Sequence, residues 1–410
     1  MSLYRVFKLA FRNIFRNKRR TLLTLAAIII GGVALVFIGG YIQYTFWGLR
    51  EQTIHSQTGH MQFYKKGFIE KGSIEPEKYL LSKNEAEKVE EVLSKQKHVK
   101  QFAKRLSIMG LVSNGDKSVI FLGKGVEPEK DSEINTNTQV VEGENLMDDD
   151  NFKILLGVDL ASLMHVKIGD NVTLLVTTMQ GSQNAYDFTV KGFTKTGIKD
   201  YDDKSIVVSL TDAQKLINTD SIERIISLFD KTENTELVNK ELSGKIDSIQ
   251  VEFRTWEQLA QYYHQVVQMY ENAFNVMKTV ILLIIIMSIA NALIMSVMER
   301  VSEIGTLRAM GTSKGDVLVM FIMEGFTLGV LGGIGSVIFG WLFAFLINLK
   351  GGIYMPPPPG HTEGYWIQIM TNFKVLALPF IISVLASVIS SFIPAVKAAR
   401  LKVVEALYHV

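Results

Sequence analysis

The 410 residues are 48% hydrophobic and 20% charged, with a formal net charge of +2. A balance this close to neutral gives no electrostatic footprint for a nucleic-acid partner. Cysteine is absent, which excludes a disulfide framework, a thiolate nucleophile and a Cys-ligated metal.

Residues 1–20 carry seven basic side chains (Arg5, Lys8, Arg12, Arg16, Lys18, Arg19, Arg20) and no acid. Leu3, Phe7, Ala10, Phe11, Ile14 and Phe15 recur among them at helical spacing. The pattern predicts a basic amphipathic helix lying in the membrane interface. Residues 21–42 then run for 22 positions without a charge, enough to cross a hydrocarbon core of about 30 Å at about 1.5 Å per residue. No small-x-small cleavage site follows. The stretch reads as an uncleaved first span (21–45), its basic flank placing the N-terminus in the cytoplasm.

Residues 46–272 form one long polar block with the composition of a globular α/β domain. Ser82-x-x-Glu85 is a capping box ahead of a helix. Residues 102–113 and 118–126 read as strands around the Asn114-Gly115-Asp116 turn, and the acidic stretch 127–151 reads as a loop. A helix from Gly157 leads through Lys167-Ile-Gly-Asp170 into a β-rich stretch. The coarse division is two flanking α/β parts (46–125 and 211–270) with a β-rich insertion between them. The seven histidines are scattered; His55 and His60, five apart beside a strand, are a poor candidate for a metal site.

Three more spans follow: residues 273–298, 317–348 and 375–394. Between the second and third lies a charged segment, 299–316. Glu299 and Glu303 share a helical face, a spacing unfavourable by about 0.2–0.5 kcal/mol in isolation, and Arg300 offsets part of this. Val301, Ile304 and Leu307 give the segment one apolar side. Gly311 is placed to end the helix and Ser313-x-x-Asp316 to start the next. The reading is helix, tight turn, helix: a rigid elbow. Within the third span Gly325, Gly329 and Gly333 repeat every four residues, as do Gly332, Ser336 and Gly340, which predicts close helix packing. Glu324, two turns in, is expected to sit at the membrane interface rather than serve as a proton relay. Asn275 and Asn291 are expected to bond between helices. An external loop (349–374) holds a proline run that must be extended. Pro394 is expected to end the fourth span and to open a basic tail, 395–410. The three predicted cytoplasmic segments carry seven, three and three basic residues against two in the short external loop, which places both termini inside.

The string Glu299-Arg-Val-Ser-Glu-Ile-Gly-Thr-Leu-Arg-Ala-Met-Gly-Thr-Ser resembles the signature after the second span in the MacB/FtsX family of ABC transporter permeases, which includes the lipoprotein-releasing LolC/LolE proteins. The tail Pro394-Ala-Val-Lys-Ala-Ala-Arg-Leu-Lys-Val-Val-Glu-Ala-Leu is similar to that family's C-terminal motif, with Val404 where proline is usual. The N-terminal Ala10-Phe-Arg-Asn-Ile-Phe-Arg-Asn-Lys-Arg-Arg-Thr and the Gly157 and Lys167–Asp170 motifs also fit. The resemblance implies a fold of four transmembrane α-helices with a large α/β extracytoplasmic domain of Porter/Sabre type between the first and second, and an FtsX-like permease domain over 273–402. It implies a non-catalytic permease in the inner (plasma) membrane, working by mechanotransmission. Glu299, Arg300, Glu303, Gly305, Arg308 and Gly311 would couple it to an ATPase. The sequence contains no Gly-x-x-x-x-Gly-Lys-Ser/Thr, so the expected partners are separate cytoplasmic ABC ATPase subunits that bind ATP-Mg, this chain holding no cofactor itself. A second permease copy or paralogue, and an adaptor or lipoprotein carrier outside, complete the implied partners. The substrate would be a lipoprotein, lipid, peptide or amphipathic drug. The alternative is an FtsX-like regulator that activates an extracytoplasmic cell-wall hydrolase.

Overall fold

Two periodicities organise the chain: a two-residue alternation through the polar block and uninterrupted apolar helices elsewhere. The computed structural model describes residues 12–13, 16–72, 74–246, 250–357, 362 and 364–403. The predicted helix over 1–20, the proline run and the tail therefore fall partly outside the described residues. Two compact units result, residues 1–47, 266–355 and 366–410 in one, and 48–265 with 356–365 in the other.

In chain order the elements are α1 (Lys18–Thr53), β1 (Met61–Lys65), α2 (Lys83–Ser94), β2 (Val99–Ser113), β3 (Ser118–Val126), α3 (Pro128–Ile134), β4 (Gln139–Gly143), β5 (Lys153–Gly157), α4 (Val158–Met164), β6 (Asn171–Thr177), β7 (Gln183–Lys195), β8 (Ser205–Ser209), α5 (Leu210–Ile217), β9 (Arg224–Phe229), α6 (Thr235–Ile246) and β10 (Val251–Thr255). There follow α7 (Gln261–Glu299), α8 (Val301–Ala309), α9 (Lys314–Leu349), β11 (Ile353–Met355), β12 (Tyr365–Ile367) and α10 (Phe373–Ala399).

The domain between the first and second spans has two halves that share one strand. In the first, β10, β1, β9 and the start of β2 pair antiparallel. Met61, Phe63 and Ile225 on one face pack against Val89 and Leu93 of α2 and Leu242 of α6. The Ser82–Glu85 capping box opens α2 as its sequence predicts. In the second half β2, β3, β8, β5, β7 and β6 pair in turn, and β6 returns to β2. The sheet thus closes into a six-stranded barrel and removes its own edges. Alternate residues (Leu106 and Ile108, Ile154 and Leu156, Val172 and Leu174, Ile206 and Val208) fill its interior.

The stretch 127–151 is not a plain loop. Pro128 occupies the first turn of α3, and Glu129 and Asp131 lie near its positive end. Polar composition hid this helix because its buried side includes an acid, Asp131, bonded to Arg105. Strand β4 is a largely exposed edge, paired on one side only, with β7.

Among the described residues four helices, α1, α7, α9 and α10, are long and apolar enough to cross a membrane. Each exceeds its uncharged stretch; α1 alone has 36 residues, about 54 Å at 1.5 Å per residue. Pro394 does not end the fourth: α10 continues to Ala399. Proline forfeits one backbone bond there, and burial of Ala395 and Ala398 against Val297, Ile304 and Phe321 outweighs it. Asn275 and Asn291 lie exposed on α7, so neither makes the interhelical bond expected of it within the described residues.

His60 does not resemble a metal ligand. Its Nδ1 accepts from the Phe229 N–H at 3.0 Å, and its Nε2 lies 3.0 Å from Thr232 Oγ1. Burial, with His55 and Arg50 nearby, lowers its pKa to about 4. A depressed imidazole stays neutral in the fold while the unfolded chain protonates. Its contribution is therefore complete above about pH 6.5 and is lost as the pH falls toward 4. We expect wild type to lose roughly 2–3 kcal/mol more stability between pH 7.5 and 4.5 than His60→Asn, which keeps an acceptor but cannot titrate. Denaturant unfolding at the two pH values measures the difference.

Candidate functional site: the charged elbow

The elbow is built from local rules. Helix α8 ends in a Schellman motif. Gly311 adopts φ +97°, its N–H donates to the Arg308 carbonyl, and Thr312 N–H donates to that of Leu307. Ser313 Oγ then accepts from the Asp316 N–H at 3.1 Å and opens α9. Nothing within 4 Å of Gly311 crowds a side chain, so the positive φ alone calls for glycine.

The apolar side of the elbow faces inward. Val301 and Ile304 are buried, as is Gly305 between them and the helix end. The charged residues are equally committed. Arg16 meets Glu303 in a two-pronged ion pair, one bond of which is 2.9 Å long, and Arg300 Nε adds a third bond at 3.2 Å. The bond from Arg16, reinforced by Arg300, holds Glu303 below the usual carboxylate range. Arg20 donates to Glu299 at 2.8 Å. Arg308 Nη1 donates to the carbonyls of Ala399 and Leu401, at 3.2 and 2.8 Å, and so caps α10. Arg300 Nη1 also lies 3.7 Å from Glu324 Oε2, and Ser296 Oγ bonds the other oxygen. Glu324, 2% exposed, is thus paired inside the bundle rather than lying at its solvated edge.

All six predicted coupling residues gather here, yet Glu299, Glu303 and Arg308 are occupied within the chain. Arg16 and Glu303 remain 58% and 42% exposed, and pairs of that kind contribute about 0.2–1 kcal/mol. They fix geometry more than they add stability. The surface left over is a different one. Ser302, Thr306 and Met310, four apart, form an outward stripe, Met310 being 71% exposed. The i, i+4, i+8 spacing was readable in the sequence, but small neutral residues draw less notice than charges do.

The two glycine repeats of α9 serve two different neighbours. A Cβ at Gly325 or Gly329 would stand 2.6 Å from Ser391 Cβ or 1.9 Å from Ser387 Oγ of α10, and at Gly333 2.8 Å from Phe380. A Cβ at Gly332 or Gly340 would stand 2.5 Å from Ile28 or 2.7 Å from Val36 of α1. Ser336 Oγ donates to the Ile28 carbonyl at 3.3 Å.

The FtsX-like permease C-terminal model matches residues 275–403, and the MacB-like periplasmic core domain model matches residues 21–245. Four spans with a large α/β domain between the first and second, and a charged elbow between the second and third, define a membrane permease. The chain belongs to the MacB/FtsX family of ABC transporter permeases. Its relatives include an uncharacterized ABC transporter permease of Methanocaldococcus jannaschii, 25% identical over 98% of this chain and 97% of its own length. LolC, a transmembrane protein of the lipoprotein-releasing system of Neisseria meningitidis, is 25% identical over 63% of this chain and 65% of its own. LolE of Haemophilus influenzae is 22% identical over 78% and 80%.

Gly329→Ala should destabilise the helix bundle by about 1–3 kcal/mol, the usual range for overpacking. Ser387→Ala in the same chain should recover part of that loss. A double-mutant cycle read by thermal unfolding in detergent checks the pair; independent, additive effects would mean that the contact is not made.

Proposed function

We propose that the chain is the membrane subunit of an ATP-driven complex that works by mechanotransmission. A separate ATPase in the cytoplasm closes on ATP and presses on the elbow. The bundle passes the movement to the domain on the outer side, where a lipoprotein, lipid, peptide or amphipathic drug is moved or extracted. Both termini are cytoplasmic on this reading, as the basic flanks require. Two permeases, identical or paralogous, form the membrane part, and this chain does no chemistry of its own.

The observation that carries the reading is the way the elbow is fastened. Its carboxylates hold Arg16 and Arg20 beside the first span, Arg300 faces Glu324 of α9, and Arg308 holds the end of α10. A displacement of α8 therefore acts on three other membrane helices at once. The stripe Ser302, Thr306 and Met310 is free to receive the ATPase.

Purification of the tagged chain from its native host should bring down an ABC ATPase. Met310→Glu should weaken that association by about 2 kcal/mol or more, the scale of an interface hot spot. Glu303→Lys should leave the complex assembled but reduce coupling of hydrolysis to transport by about 5- to 150-fold, and Arg16→Glu added to it should restore part of the coupling. Retention of full coupling in Glu303→Lys would sink the lever reading.

A further inference from the structure

The most unusual chemistry outside the elbow lies in the large domain, where β2, β3 and β9 bring three cations to one cavity. Arg105 of β2 is directly paired with Arg224 of β9, and Lys124 of β3 stands across from Ser107, two residues further along β2. All three line a cavity of about 420 Å³, closed on another side by Tyr201.

Two carboxylates are present, and both are largely engaged. Asp131 accepts from Arg105 Nε at 2.6 Å and from Asn135 at 2.7 Å, with Lys124 Nζ 3.8 Å away. Glu223 contacts Arg224 and accepts from the Ser107 N–H at 3.0 Å. Three cations thus face two acids. Arg105, 2% exposed, has no acceptor for Nη2, and Arg224 has none for Nε. Buried donors without acceptors are rare in native proteins, and each calls for a missing partner. Burial lowers Lys124 to about 8; Asp131 opposes the shift, and Arg105 and Arg224 add to it.

The strand face that carries these cations continues as an exposed apolar track. Met109 stands opposite Leu122, and Leu111 opposite Ile120. All four point outward from the barrel and are exposed. From Lys124 to Ile120 the track runs about 13 Å at 3.3 Å per residue. A cationic pocket opening onto an apolar ribbon is complementary to a molecule with an anionic head and a hydrocarbon chain.

We propose that this cavity binds a phosphate-headed amphiphile, with the phosphate oxygens against Arg105, Lys124 and Arg224 and the chain along the Met109–Leu122 and Leu111–Ile120 pairs. Donors converging from three strands suit a tetrahedral group better than a planar carboxylate. The inference names a substrate class for the permease proposed above and rests on that reading for its role. Binding itself requires neither ATP nor the ATPase, so either idea can fail without the other.

The test uses the full chain in dodecyl maltoside, a neutral detergent without phosphate, titrated calorimetrically with hexyl phosphate, inorganic phosphate and neutral hexyl glucoside. Hexyl phosphate should bind saturably and about tenfold more tightly than inorganic phosphate, while hexyl glucoside should not bind saturably. Lys124→Met should weaken hexyl phosphate by about tenfold, and Lys124→Arg should retain it, which keeps the test valid if the methionine variant folds poorly. Met109→Asn should bring hexyl phosphate down to the level of inorganic phosphate and leave the latter unchanged. Equal affinity for hexyl and inorganic phosphate would make this a site for free phosphate and overturn the proposal. So would an unchanged affinity in Lys124→Met, or no saturable binding at all.

Discussion

Charge at the margin of an apolar bundle must be met by opposite charge or by water, and in this chain the elbow meets it with its own neighbours. Glu303 takes Arg16, Glu299 takes Arg20, Glu324 faces Arg300, and Arg308 takes the last carbonyls of α10. Each exposed pair is weak alone. Together they tie the elbow, residues 299–316, to segments distant in sequence, so it cannot swing independently of them. The two glutamates do not share a helical face as their spacing predicts: Glu299 closes α7, Glu303 lies in α8, and the chain breaks helical geometry at Arg300 between them. Each carboxylate is met by its own arginine from the N-terminal segment.

Packing supplies the rest of the stiffness. In lipid there is little hydrophobic drive between helices, so close contact depends on small residues that let backbones approach. Both α10 and α1 lie against α9, and its small residues meet them in turn: Gly325, Gly329 and Gly333 contact α10, and Gly332 and Gly340, seven residues or about two turns further along, contact α1. The serines of α10 complete the arrangement. Ser387 and Ser391 return their hydroxyl protons to carbonyls of their own helix, at Val384 and Val388, so that small polar side chains are satisfied without a partner across the contact.

Much of this was legible in the sequence, for identifiable reasons. Uncharged length gives the spans, the capping box gives α2, and Gly311 with Ser313 gives the turn in the elbow; each is a short-range rule. Local signals mislead where a long-range partner overrides them. Stretch 127–151 has the composition of a loop because Asp131 and Asn135 are polar, yet Arg105 and burial make them interior. Pro394 looked like a terminator because the alanines after it gave no sign of the surface they pack against. Nothing local announces that Arg16 and Arg20, nearly 300 residues earlier in the chain, reach the elbow carboxylates. The barrel was visible only as a β-rich insertion. Closure depends on β6 finding β2, a pairing across some 60 residues that no local pattern encodes.

That pairing also explains where the buried cations lie. Strand β2 is 15 residues long, and its partner on one side changes partway along. Its pairing with β9 ends at Arg105, and its pairing with β6 begins at Gly110. Between these points one edge of β2 has no ladder, and its backbone must be satisfied by side chains. Glu223 does this for the Ser107 N–H. A carboxylate drawn in for that purpose brings a counterion, here Arg224, which borders the cavity beside the unpaired edge. A single strand that serves both a layered sheet and a closed barrel therefore creates a polar opening at its change of partner. The charge in that opening follows from the topology, and the donors without acceptors are what topology leaves unexplained.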